Sequence, residues 1–247
     1  MAPIKTKAIV LKKHNFRETS VILSLYTEET GKIKGVLKGV RIEKSKIPPL
    51  TFTPGALISA SIYIKRTSEL NLISSPSILK FYEMPCKKNL MAWRLILNLV
   101  DLFTPEKEID RDIFHLLKNT GEVLSKCSNS EIILIAFKLK FIKILGYGIE
   151  LSRCVVCRNK SHTYLFSGKL GGLICNNCKS RDIKRVNISK RVINIMKQLE
   201  KMEIKRCPVI KSIPVDIMHK INFYSNITLN YHSGIDKIWW TDEKNIL

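Results

Sequence analysis

Long apolar runs are missing from this sequence of 247 residues, although 45% of the residues are hydrophobic. No stretch of about 18 uncharged apolar residues occurs, which excludes an ordinary membrane-spanning helix. The first residues run directly into an alternating strand pattern and contain no apolar signal-peptide core. We therefore expect a globular protein of the cytoplasm, with no membrane partner.

Acidic residues are scarce relative to basic ones, since 21 Asp and Glu stand against 42 Lys and Arg and leave a formal net charge of +21. The electric field of so large a positive charge attracts polyanions, and nucleic acid is the usual polyanion in the cytoplasm. Residues 1–80 hold 14 basic and 5 acidic groups, residues 81–149 hold 10 and 8, and residues 150–247 hold 18 and 8. A biased genome would be expected to make all three segments basic. The two basic ends therefore predict nucleic-acid binding.

Motifs of catalysis are also missing. The sequence has no Gly-rich phosphate loop, no His-Glu-x-x-His and no Gly-x-Ser-x-Gly, and its acidic residues are too scattered to predict a two-metal site. We expect a binding protein and not an enzyme. A nuclease or other DNA enzyme is the more distant alternative, and metal-dependent turnover by the pure protein would reveal it.

Short alternating runs of apolar and polar residues fill the first 80 residues. Val21, Leu23 and Leu25 alternate with Ser20, Ile22, Ser24 and Tyr26, and Gly31 follows in a turn that needs a positive φ. Tyr26 falls on the outward phase of the same strand, where it either stacks bases or covers the sheet. Five such runs within about 75 residues predict a small barrel with one buried face.

From about residue 84 the apolar period changes to that of amphipathic helices. We expect three helices before residue 146 to pack as one unit, and two more after residue 189. The predicted fold is α+β and multidomain, with a barrel domain at residues 1–80 and a helical domain at residues 81–247. Trp239 and Trp240 near the end either anchor the tail or meet a partner.

Two close cysteine pairs are the most specific motif in the chain. They are Cys154-Val-Val-Cys157 and Cys175-Asn-Asn-Cys178, and 17 residues separate them. Each pair presents two thiolates to one ion, and two pairs complete a tetrahedral site with four sulfur ligands. The spacing predicts a zinc ribbon, at residues 150–182, inserted in the helical domain. Because four protein ligands leave no open position, we expect one structural zinc ion, with redox thiols as the alternative.

Basic residues surround both candidate sites. Those beside the cysteines either contact phosphates or offset the negative charge of a zinc tetrathiolate. In the barrel region, a row of cations at strand spacing continues into the next loop and predicts contact with a nucleic-acid backbone. These DNA-binding candidates are Lys32, Lys34, Lys38, Arg41, Lys44 and Lys46. The alternative is an ordinary solvated face of the sheet.

The segments Arg17-Glu-Thr-Ser20, Thr27-Glu-Glu-Thr-Gly31-Lys32-Ile-Lys34, Lys38-Gly39-Val-Arg41 and Leu145-Gly146-Tyr147-Gly148 resemble those of the RecO family of recombination mediators. The order of strands, helices and four-cysteine insert is also similar, over roughly residues 1–230. The resemblance implies that the barrel is an oligonucleotide-binding (OB) fold. It also implies a DNA-repair protein that binds single- and double-stranded DNA and anneals complementary strands.

The implied partners are RecR, single-strand-binding protein and, indirectly, RecA, which such a mediator helps to load onto coated DNA. The implied place of action is the nucleoid of a bacterial cell. The nearer alternative is an RNA-binding or transcription-associated zinc-ribbon protein, because barrels and ribbons occur there too. Annealing assays with DNA and RNA oligonucleotides would separate the two.

Overall fold

The computed structural model describes residues 3–64, 70–210 and 212–233. The contacts divide the chain into two compact units, Met1–Ser128 and Asn129–Leu247. Trp239 and Trp240, which were expected either to anchor the tail or to meet a partner, lie outside the described residues. None of the described helices is both long and apolar enough to cross a membrane.

The first unit begins with a closed five-stranded barrel, which confirms the predicted OB-like fold. Its strands are β1 (Ile4–Phe16), β2 (Ser20–Thr27), β3 (Gly31–Leu37), β4 (Leu57–Tyr63) and β5 (Asn71–Lys80). They follow the order β1-β2-β3-β5-β4, and β4 pairs with β1 to close the barrel. Side chains alternate across each strand, so Val10, Leu23, Leu25, Ile33 and Ile58 fill the interior.

Two helices complete the first unit, α1 (Lys87–Phe103) and α2 (Arg111–Leu124), and both pack against β1. This packing explains why Ile9 and Leu11, on the outward side of β1, are buried like the barrel interior. The buried Asn89 side chain joins the helix ends, because its Nδ2 donates to the carbonyls of Leu124 and Cys127 at 2.7 Å.

The second unit contains α3 (Ser130–Ile144), α4 (Lys190–Lys201) and α5 (Val215–Ser233). The central helix is α3, which contacts both others and is apolar on all sides. It ends at Ile144, and Gly146, just beyond the C-cap residue Leu145, has a φ of +84°, which suits a residue without Cβ. The prediction that the first three helices form one packed unit was wrong, because α3 groups with α4 and α5 while α1 and α2 group with the barrel.

Between α3 and α4 the chain forms a small three-stranded sheet of β6 (Leu165–Ser167), β7 (Gly172–Ile174) and β8 (Val186–Asn187). This is the region where the four-cysteine insert was expected. The proposed domain boundary at residue 80 stays a prediction, since contacts describe compactness and not which segment folds independently.

Candidate metal centre and nucleic-acid surfaces

The four predicted cysteines come together in the second unit. The Sγ atoms of Cys154, Cys157, Cys175 and Cys178 all lie within 4.8 Å of one another. The Sγ atoms of Cys157 and Cys175 are 3.8 Å apart. A tetrahedral ion with metal–sulfur bonds of about 2.3 Å would set neighbouring sulfurs roughly 3.8 Å apart. The cluster therefore fits one tetrahedral ion and is too wide for a disulfide.

Backbone groups fix the two cysteine turns. The Arg158 N–H donates to the Cys154 carbonyl at 3.0 Å, and the Cys178 N–H donates to the Cys175 carbonyl at the same distance. Arg158 has a φ of +62°, which lets the chain turn back after the first pair. Across the cluster, the Cys175 N–H donates to the Cys154 Sγ at 3.4 Å. These bonds help to place the four sulfurs around one point.

The thiols of the cluster differ in acidity. Burial of the Cys154 thiol opposes ionisation, but hydrogen bonds from the backbone N–H groups of Cys157 and Cys175 outweigh it and lower the pKa of Cys154. Desolvation and hydrogen bonds to the neighbouring cysteines raise the pKa of Cys178. Adjacent thiolates repel one another, so four of them need a cation between them. The donor set is that of a metal site.

In the barrel, the sequence candidates occupy one side of β3 and the loop that follows. Lys34 and Lys38 are exposed, and Arg41, Lys44 and Lys46 are exposed in the loop. The loop is tied to the turn between β1 and β2, since the Arg41 Nη1 donates to the Arg17 carbonyl at 2.9 Å. The structure therefore brings Arg17, which sequence reasoning missed, next to Arg41.

Lys32 lies on the expected side of β3 but is not on the surface. Its side chain is only 8% exposed, and its Nζ donates to the Asp101 carbonyl at 2.6 Å. Desolvation lowers the pKa of Lys32 and outweighs the opposing effect of the nearby Asp101 and Glu106 carboxylates. The expectation of a solvated row beginning at Lys32 is thus corrected, because the end of α1 covers this lysine. Its role in DNA binding stays a prediction.

The α1–α2 connection (residues 104–110) supplies acidic groups beside the cations of β3. Glu106 forms an ion pair with Lys34 at 2.7 Å, and Asp101, on α1, forms one with Lys12 at 2.8 Å. Burial raises the pKa of Asp101, but hydrogen bonds from Lys12 and Ser24 outweigh this effect and leave the pKa below its usual value. Tyr26 is also covered, and its hydroxyl donates to the Asp110 carbonyl at 3.2 Å.

The strand pairing shows a second row of side chains that sequence reasoning missed. His14, Ile22 and Val36 lie directly opposite one another across β1, β2 and β3, and all three are at least partly exposed. The neighbouring row consists of Lys12, Ser24 and Lys34. The imidazole ring of His14 and the apolar side chains of Ile22 and Val36 thus lie beside Lys12 and Lys34 on the outer face of the barrel. Only the three-dimensional register could reveal this arrangement.

A closed OB-like barrel with a cationic outer face, in a chain that also carries a four-cysteine metal-type cluster, defines a class of nucleic-acid-binding proteins. Two family models match the chain, "Recombination protein O N terminal" over residues 1–82 and "Recombination protein O C terminal" over residues 88–219. The chain belongs to the RecO family of DNA-repair proteins.

Individual relatives agree with this assignment. The chain is 32% identical to a "DNA repair protein RecO" of Caldicellulosiruptor bescii, in an alignment that covers 83% of this chain and 87% of the relative. It is 29% identical to the protein of the same name from Alkaliphilus metalliredigens, over 85% of this chain and 86% of the relative. It is 25% identical to the "DNA repair protein RecO" of Bacillus velezensis, over 94% of this chain and 90% of the relative.

Proposed function

We propose that this protein is a non-enzymatic recombination mediator that binds single- and double-stranded DNA, anneals complementary strands and helps to load a recombinase onto coated DNA. The observation that carries the proposal is the outer face of the barrel, where Lys12 and Lys34 lie in the row next to that of His14, Ile22 and Val36. Cations hold a phosphate backbone, and ring or apolar side chains accept unstacked bases.

The cations continue beyond this face along the path that the sequence indicated. The exposed Lys38, Arg41, Lys44 and Lys46 extend the positive surface from β3 into the following loop. Annealing requires two polyanions to approach, so a protein that neutralises phosphates lowers their repulsion while base pairing supplies the recognition. We assign backbone contact to these residues and to Lys34, with Lys32 as a buried candidate that contributes through its charge.

We infer that the four-cysteine cluster holds one zinc ion. Zinc prefers four thiolates in tetrahedral geometry, and the cluster leaves no ligand position for water. The ion would offset half of the negative charge of the four thiolates and stabilise a module that has a small apolar core around Cys154, Ile174 and Cys175. Its role is structural.

RecR, single-strand-binding protein and, through them, RecA are the proposed partners, and the proposed location is the nucleoid in the cytoplasm of a bacterium. Support for these partners comes from family membership and from the DNA-binding surface that such an assembly needs. An RNA-binding role is the alternative outcome of the test below.

The test is annealing of complementary DNA strands coated with single-strand-binding protein, with matched RNA strands in parallel. We expect the protein to accelerate DNA annealing, and a variant with Lys34→Glu and Lys38→Glu to lose most of this effect. A control with Lys87→Glu and Lys88→Glu makes the same charge change on exposed residues of α1 and should anneal normally. Equal activity of the two variants would contradict the assignment of the barrel face, and acceleration confined to RNA would contradict the DNA function.

A further inference from the structure

Ile183 is an unusual residue on the surface of the second unit. Its side chain is 89% exposed, more than any other large apolar residue that the structure describes. It precedes β8, directly after the 3-10 turn Asn176–Arg181 that carries Cys178. An exposed isoleucine contributes nothing to the core at this position.

The turn that presents Ile183 is held in place by its neighbour Asp182. The Asp182 side chain is buried and accepts a hydrogen bond from the Ser167 hydroxyl at 2.5 Å and one from the Lys184 N–H at 2.9 Å. The Arg185 Nη1 donates to the Asp182 carbonyl at 3.1 Å. These bonds fix the turn on both sides of Ile183. The isoleucine is therefore held outward by the fold, and not merely left without a place to pack.

Three exposed cations lie within four residues of this apolar side chain in the sequence. Arg181 and Lys184 flank it in the sequence and are exposed, and Lys179 is exposed in the preceding turn. The Asp182 carboxylate that lies among them is buried and already accepts two hydrogen bonds. The surface around Ile183 is thus positive, which suits a polyanion and not an apolar protein partner.

We propose that residues 179–185 are a second DNA contact, in which Ile183 packs against an exposed base pair while Arg181 and Lys184 contact the adjacent phosphates. Proteins that bend or open DNA insert apolar side chains between base steps in this way, with cations on the backbone nearby. The inference rests on the proposed DNA-binding function and adds a specific element to it.

The preferred partner is a junction between single- and double-stranded DNA. Opening an internal base step costs a few kcal/mol of stacking, whereas the terminal pair of a duplex has one face already free. A protein that anneals strands meets such a junction at the front of every growing duplex. Ile183 would cover the last formed pair there.

The experiment compares full-length protein with two variants, Ile183→Ala and the control Val215→Ala. Val215 is 55% exposed in the same unit, outside the Arg181–Lys184 turn. The probe is a forked DNA duplex with 2-aminopurine at the junction, with the single strand alone for comparison. We expect Ile183→Ala to bind the fork about threefold or more weakly, since most of the apolar contact is removed, and to lose the change in 2-aminopurine fluorescence.

The salt dependence provides an independent readout. A variant with Arg181→Gln and Lys184→Gln should reduce the slope of log affinity against log salt by up to about 1.8, whereas Ile183→Ala should leave the slope unchanged. Metal content and circular dichroism confirm that each variant is folded. If Ile183→Ala binds and unstacks the fork like Val215→Ala, the inference is overturned while DNA binding stands. If the unmodified protein binds no DNA, the proposed function fails as well.

Discussion

Replacing Glu106 by Gln should strengthen DNA binding, because this carboxylate competes with phosphate for Lys34. The Glu106 Oε1 lies 2.7 Å from the Lys34 Nζ, and the Lys34 side chain is 49% exposed. The substitution keeps the size of the side chain and removes the charge. A phosphate then no longer competes with the Glu106 carboxylate for Lys34.

The magnitude follows from the exposure of the pair. Exposed ion pairs contribute about 0.2–1 kcal/mol, which corresponds to a gain of roughly 1.4- to 5-fold in affinity when DNA no longer has to break one. If Lys34 becomes one additional phosphate contact, the slope of log affinity against log salt for a single strand should steepen by about 0.7. Both quantities can be measured by fluorescence anisotropy with a labelled single strand over a series of salt concentrations.

The matched control is Glu28→Gln. Glu28 lies in the β2–β3 turn, 3.7 Å from Lys7, so this variant makes the same change in net charge on the same barrel at a different ion pair. A general electrostatic effect would strengthen binding equally in both variants. The reasoning is refuted if Glu106→Gln gains no more than Glu28→Gln, or if its salt dependence is unchanged.

Three further predictions concern stability and the metal. Gly31→Ala should destabilise the first unit by about 3 kcal/mol, because a Cβ would lie 1.8 Å from the Glu108 carbonyl oxygen. Gly39→Ala is the control, since Gly39 has a nearly equal φ but open space around it, and it should cost only about 1 kcal/mol. Chemical denaturation measures both values. The unmodified protein should contain about one zinc ion per chain by metal analysis, and Cys175→Ser should contain none. This variant should also become sensitive to protease within residues 150–187. The control Cys127→Ser should retain the metal. The pKa of Asp101 is lower in the folded protein than in the unfolded chain, so its ionised carboxylate stabilises the fold. This contribution is fully present above the unfolded pKa and is lost as the pH falls through the folded pKa. Asp101→Asn should therefore show a smaller loss of stability on acidification; an unchanged pH profile would contradict the reasoning.

The sequence predicted those parts of the molecule whose signals are local. The alternation of Val21, Leu23 and Leu25 predicted barrel strands because neighbouring side chains in a strand point to opposite faces. The two Cys-x-x-Cys pairs predicted the cluster because their spacing already places each pair on one turn. Helix starts carry a local signal of the same kind, since Asp110 and Ser189 are N-caps whose side chains accept hydrogen bonds from the next turn.

Predictions failed where distant segments decide the outcome. Alternation placed Lys32 outward from the barrel correctly, but it could not show that Asp101, 69 residues later, covers that position. Ile9 and Leu11 carried a usable signal, because apolar residues on both phases of a strand indicate that another element covers its outer side. Lys138 had no such signal: it is buried on α3, and its Nζ donates to Asn226 Oδ1, 88 residues away on α5, at 3.0 Å.

The α1–α2 connection explains why Lys32 and Lys34 differ although both lie on the outer side of β3. The pairing between β3 and β5 covers only Gly35–Leu37, so the first half of β3 needs another partner on that edge. The connection provides it, since the Lys107 N–H donates to the Lys32 carbonyl at 2.8 Å. The Lys32 backbone is thus held by the connection and its Nζ by the Asp101 carbonyl in a buried setting, whereas the Lys34–Glu106 ion pair is partly exposed. If DNA binds this face as proposed, exchanging Glu106 for a phosphate at Lys34 should cost less than drawing out Lys32, which acts as a fixed part of the barrel wall.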